Sequence, residues 1–313
     1  MRGTDILGLE NMPRTTIEKI LRTARTMEEV LDRPARKLPT LRGKNVTTLF
    51  FEPSTRTRSS FEAAAKILGA DVTGFTPATS SLQKGEGLLD TARTLEAMGA
   101  DCLVVRHRTA GVPRFLADRL GTPVVNAGDG MHEHPTQGLL DLYTILSAKG
   151  HIEGLRVAIV GDIEHSRVAR SDLFGLLRLG AEVRLAGPTT LLPLAFPRWM
   201  DSIDRPGKAK VCKLSEALDG ADAVIVLRLQ RERQAGARIP SPEEYSTFWG
   251  LTVERLRQAK PDVLFLHPMP INRGLEVESA VADGPHSWVF RQVRHGVAVR
   301  MSILYLILAG GDP

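Results

Sequence analysis

The chain has 313 residues, of which 42% are hydrophobic, and it carries 41 Lys and Arg against 36 Asp and Glu. These values exclude a disordered, collagen-like or disulfide-scaffold chain, and the length indicates two domains or one large one. The net charge of +5 is spread along the sequence apart from a cluster at 228–233, so a nucleic-acid binder is not indicated. The positive charge is consistent with a solvated surface and, as a more specific hypothesis, with a site for small anionic substrates.

The cysteines and the apolar segments indicate the cellular location of the protein. Cys102 and Cys212 have no CxxC spacing, which favours free thiols in a reducing compartment. Residues 1–11 lack the apolar segment of a secretory signal, and the longest apolar stretch, 297–309, contains Arg300 and is too short to span a membrane. We therefore expect a cytoplasmic protein without membrane association.

The first half of the chain alternates amphipathic helical patterns with short β-like runs. The expected strands are 45–51, 72–75, 102–106 and 124–126. The expected helices are 14–31, 59–68, 88–98, 112–120 and 137–148. The turn residues of 149–154 then indicate a domain boundary.

A second alternating series follows this boundary. The expected strands are 156–160, 182–186, 210–213, 223–227 and 263–266. The expected helices are 166–179, 253–260 and a closing helix at 297–309. Two Pro- and Gly-bearing stretches, 187–207 and 230–250, are equally consistent with functional and with plain surface loops.

Alternating strands and helices predict an α/β fold with two domains, each a parallel sheet flanked by helices. We expect the domains to comprise residues 1–150 and 151–296. The C-terminal helix, about 297–311, is expected to pack back on the first domain.

Common cofactor and nucleophile motifs are absent from the sequence. Gly161 follows a strand, but Ile163 and Ser166 occupy the other glycine positions of a dinucleotide fingerprint. P-loop and GxSxG patterns are missing as well. His132 and His134 are two residues apart and do not share a helix face, so we expect no metal and no cofactor.

The segment Phe50–Arg58 combines three hydroxyls with two arginines where a strand gives way to a helix. A helix N-terminus offers unpaired N–H groups, hydroxyls add donors, and Arg supplies a fork for phosphate oxygens. An N-cap would explain one hydroxyl, not three with two arginines. The segment therefore predicts a phosphate or other oxyanion site.

Other polar residues follow predicted strands, at the edge where open α/β sheets bind ligands. Arg106 ends one strand, and His134 and Gln137 open a helix at a spacing that can face one ligand. Taken singly, each position has an equally good structural explanation. Arg106 could form a surface salt bridge, and His134 could cap a helix or lie in the core.

Cations and donors follow strands in the second half too, at Arg167, Arg170, Arg228 and Gln230. Together they suggest a second anionic substrate. No general base or nucleophile stands out, which fits a transfer reaction that relies on positioning and charge stabilisation, with the nucleophile supplied by a substrate.

With these motifs in family order, the chain resembles the catalytic chains of aspartate carbamoyltransferase, in the aspartate/ornithine carbamoyltransferase superfamily. The resemblance covers nearly the whole chain. It is carried by Phe50–Arg58, Ser80 with Lys84-Gly85-Glu86, Val105-Arg106-His107, His134-Pro135-Thr136-Gln137, Arg167 in Ser-Arg-Val-Ala-Arg-Ser, Arg228-Leu229-Gln230 and His267-Pro268-Met269-Pro270. The last two motifs favour aspartate over ornithine, whose enzymes carry His-Cys-Leu-Pro.

The resemblance implies carbamoyl transfer from carbamoyl phosphate to L-aspartate, a step of pyrimidine (UMP) biosynthesis, in the cleft between the domains. It implies that the first domain binds carbamoyl phosphate and the second binds aspartate. Carbamoyl phosphate would be bound by Ser54, Thr55, Arg56, Thr57, Arg106, His134, Gln137, Met269 and Pro270. Of these, Arg56, Thr57, Arg106 and His134 would be catalytic.

The same resemblance assigns Lys84, Arg167, Arg228 and Gln230 to aspartate, with Arg170 as the alternative to Arg167.

Ser80 and Lys84 would reach in from the adjacent subunit of a homotrimer, and Ser81 could exchange roles with Ser80. Glu52 and Arg233, with Arg167, would assist domain closure. A regulatory chain or a dihydroorotase is an expected further partner. Transfer to another amine such as ornithine, and a catalytically silent anion-binding subunit, are the alternatives.

Overall fold

The computed structural model describes residues 5–75, 85–193, 206–229 and 241–310. Two compact units comprise Met1–Leu140 with Arg294–Pro313, and Asp141–Val293. Both boundaries fall inside helices, α5 (Pro135–Lys149) and α11 (Val289–Leu308). Among the described residues, no helix combines the length and apolar character needed to cross a membrane.

Unit 1 is built on a parallel sheet of four strands in the order β2-β1-β3-β4. Its strands are β1 (Asn45–Phe50), β2 (Asp71–Phe75), β3 (Cys102–His107) and β4 (Val124–Asp129). Its helices include α1 (Arg14–Asp32), α2 (Thr55–Ile67), α3 (Leu88–Ala97) and α4 (Val112–Ala117). Leu49, Leu103 and Leu116 are fully buried in one apolar cluster, as expected where helices cover a parallel sheet.

Unit 2 is built on a parallel sheet of five strands in the order β7-β6-β5-β8-β9. These strands are β5 (Arg156–Val160), β6 (Glu182–Ala186), β7 (Lys208–Val211), β8 (Ala223–Val226) and β9 (Leu264–Leu266). The helices include α6 (Arg167–Arg178), α7 (Leu214–Leu218), α8 (Pro242–Trp249), α9 (Val253–Leu256) and α10 (Ser279–Ala282). The prediction of two parallel sheets flanked by helices is confirmed.

Several predicted boundaries were wrong. Helix α2 begins at Thr55 and not at 59, because Ser54 is the last extended residue, with φ −159°. Helix α11 begins at Val289 and not at 297, since its polar first half is held by a contact distant in sequence, from Gln292 to Asp141. Helix α9 ends at Leu256 and not at 260.

The stretch expected to be irregular between 230 and 250 contains helix α8. Ser241 caps this helix by accepting the backbone N–H of Glu244 at 3.1 Å. Ser-Pro-Glu-Glu is the sequence pattern of a helix start, so a local signal for α8 was present.

Candidate active site

In unit 1 the strand order reverses between β1 and β3. Strand β2 lies on one side of β1 and β3 on the other, so the carboxyl ends of β1 and β3 flank the topological switch point. Open α/β sheets bind ligands in the crevice at this place. Phe50 of β1 pairs with Arg106 of β3, and the Phe51 amide donates to the Arg106 carbonyl at 2.9 Å. The segment after β1 therefore lies directly beside Arg106.

The predicted anion loop forms the first turn of α2. Ser54 occupies the N-cap position, but its side chain makes no capping hydrogen bond. Thr55 and Arg56 are exposed in the first helical turn, and Thr57 is buried. The N–H groups of this turn have no partners within the helix, and the dipole there favours an anion. Capping by Ser54 is thus not the reason for the hydroxyls, and the earlier helix start places Thr55, Arg56 and Thr57 in the turn that suits a phosphate.

The structure distinguishes the two arginines of this segment. Arg58 Nε lies 2.9 Å from Glu62 Oε1 along the helix. A Cβ added at Gly74 of β2 would come within 2.6 Å of the Arg58 guanidinium, so Arg58 packs between α2 and the neighbouring strand. Arg58 therefore has a structural role in packing α2 against β2, and Arg56 stays the arginine predicted to bind an anion.

Arg106 is held at the end of β3 by two contacts. Its Nη1 donates to the Ala127 carbonyl at 3.2 Å, and its Nη2 donates to Glu52 Oε1 at 3.3 Å. The Arg106 side chain is 11% exposed and the Glu52 side chain 22%. The guanidinium is thereby fixed near the anion loop, and an anion that binds Nη2 competes with Glu52. The sequence assigned Glu52 to domain closure with Arg167 and Arg233, and that role stays a prediction.

His134 and Gln137 follow β4, the next strand of the same sheet. The His134 carbonyl accepts the amides of Gln137 and Gly138 at 2.9 and 3.1 Å, so His134 is the residue from which α5 starts. His134 is buried, and Gln137 is partly exposed in the first turn. The carboxyl ends of three neighbouring strands thus carry the unit 1 residues predicted from the sequence.

Asp129 organises the turn that places His134. It accepts the amides of Gly111 at 2.8 Å and Glu133 at 3.1 Å, and Asn126 Nδ2 donates to it at 2.8 Å. His132 Nδ1 lies 3.1 Å from the same carboxylate. This hydrogen bond raises the pKa of His132, although burial opposes the rise. The pKa of Asp129 is lowered, since its hydrogen bonds from His132, Gly111 and Asn126 outweigh burial, which raises it.

Glu10, His132 and Glu133 are close enough that a cation could be considered, with one ligand atom of each within 4.8 Å of the others. Both Glu133 oxygens already accept amides, from Leu9 at 2.7 Å and Glu10 at 3.2 Å. Because His132 Nδ1 is on Asp129, these side chains fit an anchor for the segment before α1 better than a metal centre.

Unit 2 repeats the arrangement of the first unit. Its switch point lies between β5 and β8, and the Leu227 amide donates to the Val160 carbonyl at 2.8 Å where the two strands end. Arg167 opens α6 after β5, and Arg228 directly follows Leu227 after β8. The two arginines predicted to bind carboxylates thus follow adjacent strands at one sheet edge.

Two further observations concern the α6 arginines. Ser166 caps α6 by accepting the Ala169 amide at 3.2 Å, so the position of Arg167 at the helix start is well defined. Arg167 is 3% exposed and Arg170 is partly exposed one turn later. Neither observation decides the assignment, and Arg167 stays the predicted ligand with Arg170 as its alternative.

The loop after β9 carries Met269 and Pro270. The Met269 amide donates to His267 Nδ1 at 2.8 Å, and Met269 has a left-handed φ of 59°. Because Nδ1 accepts this bond, the ring proton of neutral His267 lies on Nε2, which is 3.4 Å from Glu276 Oε1. Glu276 in turn accepts the Asn272 amide at 2.7 Å. The loop is thus held by buried polar contacts that nothing in the motif itself indicated.

Five predicted residues lie outside the described part of the chain: Ser80, Ser81, Lys84, Gln230 and Arg233. Their assignments stay predictions.

The cysteines are not suited to nucleophilic chemistry. Burial raises the pKa of the Cys102 thiol to about 12, and burial also raises the pKa of Cys212. Since the thiolate is the nucleophile, raised pKa values disfavour nucleophilic chemistry at both thiols. This agrees with a reaction whose nucleophile comes from a substrate.

Comparisons with known proteins agree with this arrangement. Residues 4–147 match the model of the aspartate/ornithine carbamoyltransferase carbamoyl-P binding domain, and residues 153–307 match that of the Asp/Orn binding domain. The aspartate carbamoyltransferase catalytic subunit of Moorella thermoacetica is 53% identical over 312 residues, which cover 100% of this chain and 99% of that protein.

Solved structures of the same fold include an aspartate transcarbamoylase and an ornithine carbamoyltransferase. Aspartate transcarbamoylase from Trypanosoma cruzi, in complex with N-(phosphonacetyl)-L-aspartic acid, superposes with a TM-score of 0.89 at 34% identity, covering 98% of this chain and 96% of that one. Ornithine carbamoyltransferase from Pyrococcus furiosus gives 0.87 at 30% identity, covering 99% and 98%. With both domain models matched in order and a relative 53% identical along its whole length, the chain belongs to the aspartate/ornithine carbamoyltransferase family.

Proposed function

We propose that the chain is an aspartate carbamoyltransferase, which transfers the carbamoyl group of carbamoyl phosphate to the amine of L-aspartate. One observation supports the proposal: in each unit, residues predicted to bind anions follow the strands that flank the switch point of the sheet. Thr55–Thr57 and Arg106 do so in unit 1, and Arg167 and Arg228 in unit 2. A phosphate and the two carboxylates of aspartate are the anions that this reaction requires.

Carbamoyl phosphate is assigned to residues 1–150 together with the loop at Met269 and Pro270. Ser54 and the first turn of α2 hold the phosphate, with Arg56 as the bidentate cation. Thr57, Arg106 and His134 donate to the carbonyl oxygen, and Gln137 binds the carbamoyl amide. The fixed position of Arg106 between Ala127 and Glu52 supports this role, because a preorganised donor stabilises charge without reorganising during the reaction.

The chemistry follows from charge and positioning. The neutral amine of aspartate attacks the carbonyl carbon, a C–N bond forms, and negative charge grows on the oxygen facing the three donors. The C–O bond to phosphate then breaks, and the electron pair leaves with phosphate. The leaving phosphate accepts the ammonium proton, so the protein needs no general base. The products are N-carbamoyl-L-aspartate and phosphate.

Aspartate is assigned to residues 151–296, through Arg167, Arg228 and Gln230, with Lys84 from a neighbouring chain. The cationic end of ornithine would lie against Arg228, which disfavours that substrate by like-charge repulsion. Ornithine is nevertheless kept as the second candidate, because the Pyrococcus furiosus structure has the same fold.

We further propose a cytoplasmic homotrimer in which Ser80 and Lys84 complete the site of the adjacent subunit. Glu52 and Arg233 assist domain closure in this scheme. The reaction places the enzyme in pyrimidine biosynthesis, and a regulatory chain or a dihydroorotase is the proposed partner of the trimer.

A direct test is to assay the purified protein with carbamoyl phosphate and either L-aspartate or L-ornithine, measuring both the carbamoylated product and phosphate. We expect product with aspartate and at least about 100-fold less with ornithine, the discrimination expected when a buried charge is mismatched. Product formation with ornithine but not with aspartate would show that ornithine is the substrate. No product with either amino acid would indicate a catalytically silent anion-binding subunit.

A further inference from the structure

Unit 2 contains two buried carboxyl groups in contact. Asp172 of α6 and Asp141 of α5 are each 1% exposed, and their side chains lie within hydrogen-bonding distance. Among the described residues, neither oxygen of Asp172 meets an N–H or O–H donor. Two ionised carboxylates cannot be accommodated side by side without water or a cation. One proton is therefore required between them.

A glutamine connects this pair to another part of the unit. Gln292 of α11 donates from Nε2 to Asp141 Oδ1, and its Oε1 accepts the backbone N–H of His267 at 3.1 Å. The carboxylate needs a donor and the amide N–H needs an acceptor, so the orientation of the Gln292 amide is determined at both ends. Gln292 is 2% exposed, and water does not compete for either bond.

This chain of hydrogen bonds leads from Asp141 to the loop that the proposed function assigns to carbamoyl phosphate binding. The His267 backbone N–H donates to Gln292 Oε1, and the His267 ring Nδ1 accepts the Met269 amide at 2.8 Å. The backbone at Met269 and Pro270 is therefore oriented by His267, whose own position depends on Gln292. We therefore expect a change at Gln292 to alter the position of the Met269 and Pro270 backbone, which the proposed function assigns to substrate.

We propose that Asp172 and Asp141 share one proton and that this pair, acting through Gln292, positions the His267–Pro270 loop for carbamoyl phosphate. The loop's role rests on the proposed function. A proton on Asp172 makes it a donor to Asp141, which keeps an ionised oxygen for Gln292. Asp172, Asp141 and Gln292 are positioning residues, since none of them is assigned to touch substrate.

The electrostatics agree with this arrangement. Burial raises the pKa of Asp172 well above its usual range, and the charge of Asp141 and the hydrogen bond to it raise the pKa further. Asp141 is the charged group that acts on Asp172 from α5, whereas α11 contributes the neutral Gln292. Loss of the shared proton would place two negative charges side by side in a buried site.

The first part of the test is thermal unfolding of the full chain between pH 5 and pH 9, comparing wild type with Asp172→Asn. The asparagine donates to Asp141 but cannot titrate. The folded protein holds a proton that the unfolded chain releases, so wild-type stability falls with rising pH. We expect the melting temperature of wild type to fall relative to the variant as pH rises. Parallel curves would overturn the shared proton.

The second part measures the affinity for carbamoyl phosphate by calorimetry at low temperature. Asp172→Asn should bind within about twofold of wild type, whereas Asp172→Ala and Gln292→Met should bind roughly tenfold more weakly, the size of effect that a small misplacement produces. Ile159→Val, which removes a buried methyl in central strand β5, controls for a general loss of stability. It should lower the melting temperature without weakening binding.

The outcomes separate the two proposals. If wild type binds carbamoyl phosphate and Gln292→Met binds it equally well, the positioning role is overturned and the enzyme assignment is unaffected. If Ile159→Val weakens binding as much as Gln292→Met, positioning is likewise overturned. If wild type does not bind carbamoyl phosphate, the loop assignment and the proposed function both fail, while the melting curves still decide whether the proton is shared.

Discussion

Arg106 Nη2 lies 3.3 Å from Glu52 Oε1, so the guanidinium assigned to the reacting carbonyl already touches a carboxylate. Both residues flank the crevice at the carboxyl ends of β1 and β3. An incoming dianion must compete with the Glu52 carboxylate for the Arg106 guanidinium, so part of its attraction to Arg106 is spent on replacing this ion pair. We therefore expect Glu52 to reduce the affinity of this site for anions.

The first prediction concerns this pair. Glu52→Gln should bind carbamoyl phosphate about 1.4- to 5-fold more tightly in calorimetric titrations, since partly exposed ion pairs contribute about 0.2–1 kcal/mol. Glu62→Gln is the matched control, because Glu62 pairs with the structural Arg58. Weaker binding by Glu52→Gln would contradict the competition.

The second prediction separates the two arginines of the anion loop. Arg56→Ala should lower kcat/KM for carbamoyl phosphate by about 10²–10⁴, because two charge-assisted hydrogen bonds at about 1.5–3 kcal/mol each are lost. Arg58→Ala should change kcat/KM by no more than about threefold, because Arg58 makes an i,i+4 pair with Glu62 at 2.9 Å and such pairs contribute only about 0.3–0.5 kcal/mol. Equal losses in steady-state assays would refute the assignment of phosphate to Arg56.

The third prediction addresses the shared site. Arg56→Ala and Lys84→Ala chains should each be nearly inactive, yet mixed trimers should regain part of the activity, because one intact site can form from two different chains. Activity is measured after dissociation and reassembly, with mixed composition verified by mass spectrometry. Mixed trimers as inactive as the parents would show that each chain supplies its own Lys84.

The fourth prediction is a pH dependence of stability at His132 and Asp129. The folded pKa of His132 is raised by its bond to Asp129, so the pair's stabilisation is fully present below the ordinary value of 6.5 and is lost as pH rises through the folded value. The lowered pKa of Asp129 means that its own contribution is lost on acidification below 3.8.

His132→Gln should accordingly be less stable than wild type near pH 5.5, and the difference should shrink above pH 7. Urea unfolding at several pH values measures it, and His151→Gln, at an exposed histidine of unit 2, serves as control. A difference that grows with pH would contradict the assigned direction.

The strands and the order of motifs could be predicted from the sequence because both depend on local patterns. Apolar runs such as 156–160 match the observed strand, and Phe50–Arg58 shows its chemistry by composition alone. The start of α11 could not be found this way, since Val289–Gly296 is polar and is stabilised by partners such as Asp141, 151 residues away from Gln292.

The same reason explains what was missed at the site. Glu52 and Arg106 are 54 residues apart, and only the pairing of β1 with β3 brings them together. The contact from His267 to Gln292 spans 25 residues and connects a loop to a helix face. Motifs identify which residues bind ligands, whereas the residues that hold them in place become visible only when the sheets are assembled.

The division of the chain has a consequence for its synthesis. Asp141–Val293 is contiguous, whereas the first unit needs Arg294–Pro313, whose Met301 and Leu304 are buried and whose Ser302 bonds to Ile20. On the ribosome, every residue of unit 2 emerges before those that complete unit 1. The N-terminal unit therefore remains without part of its core until the last residues of the chain have been synthesised.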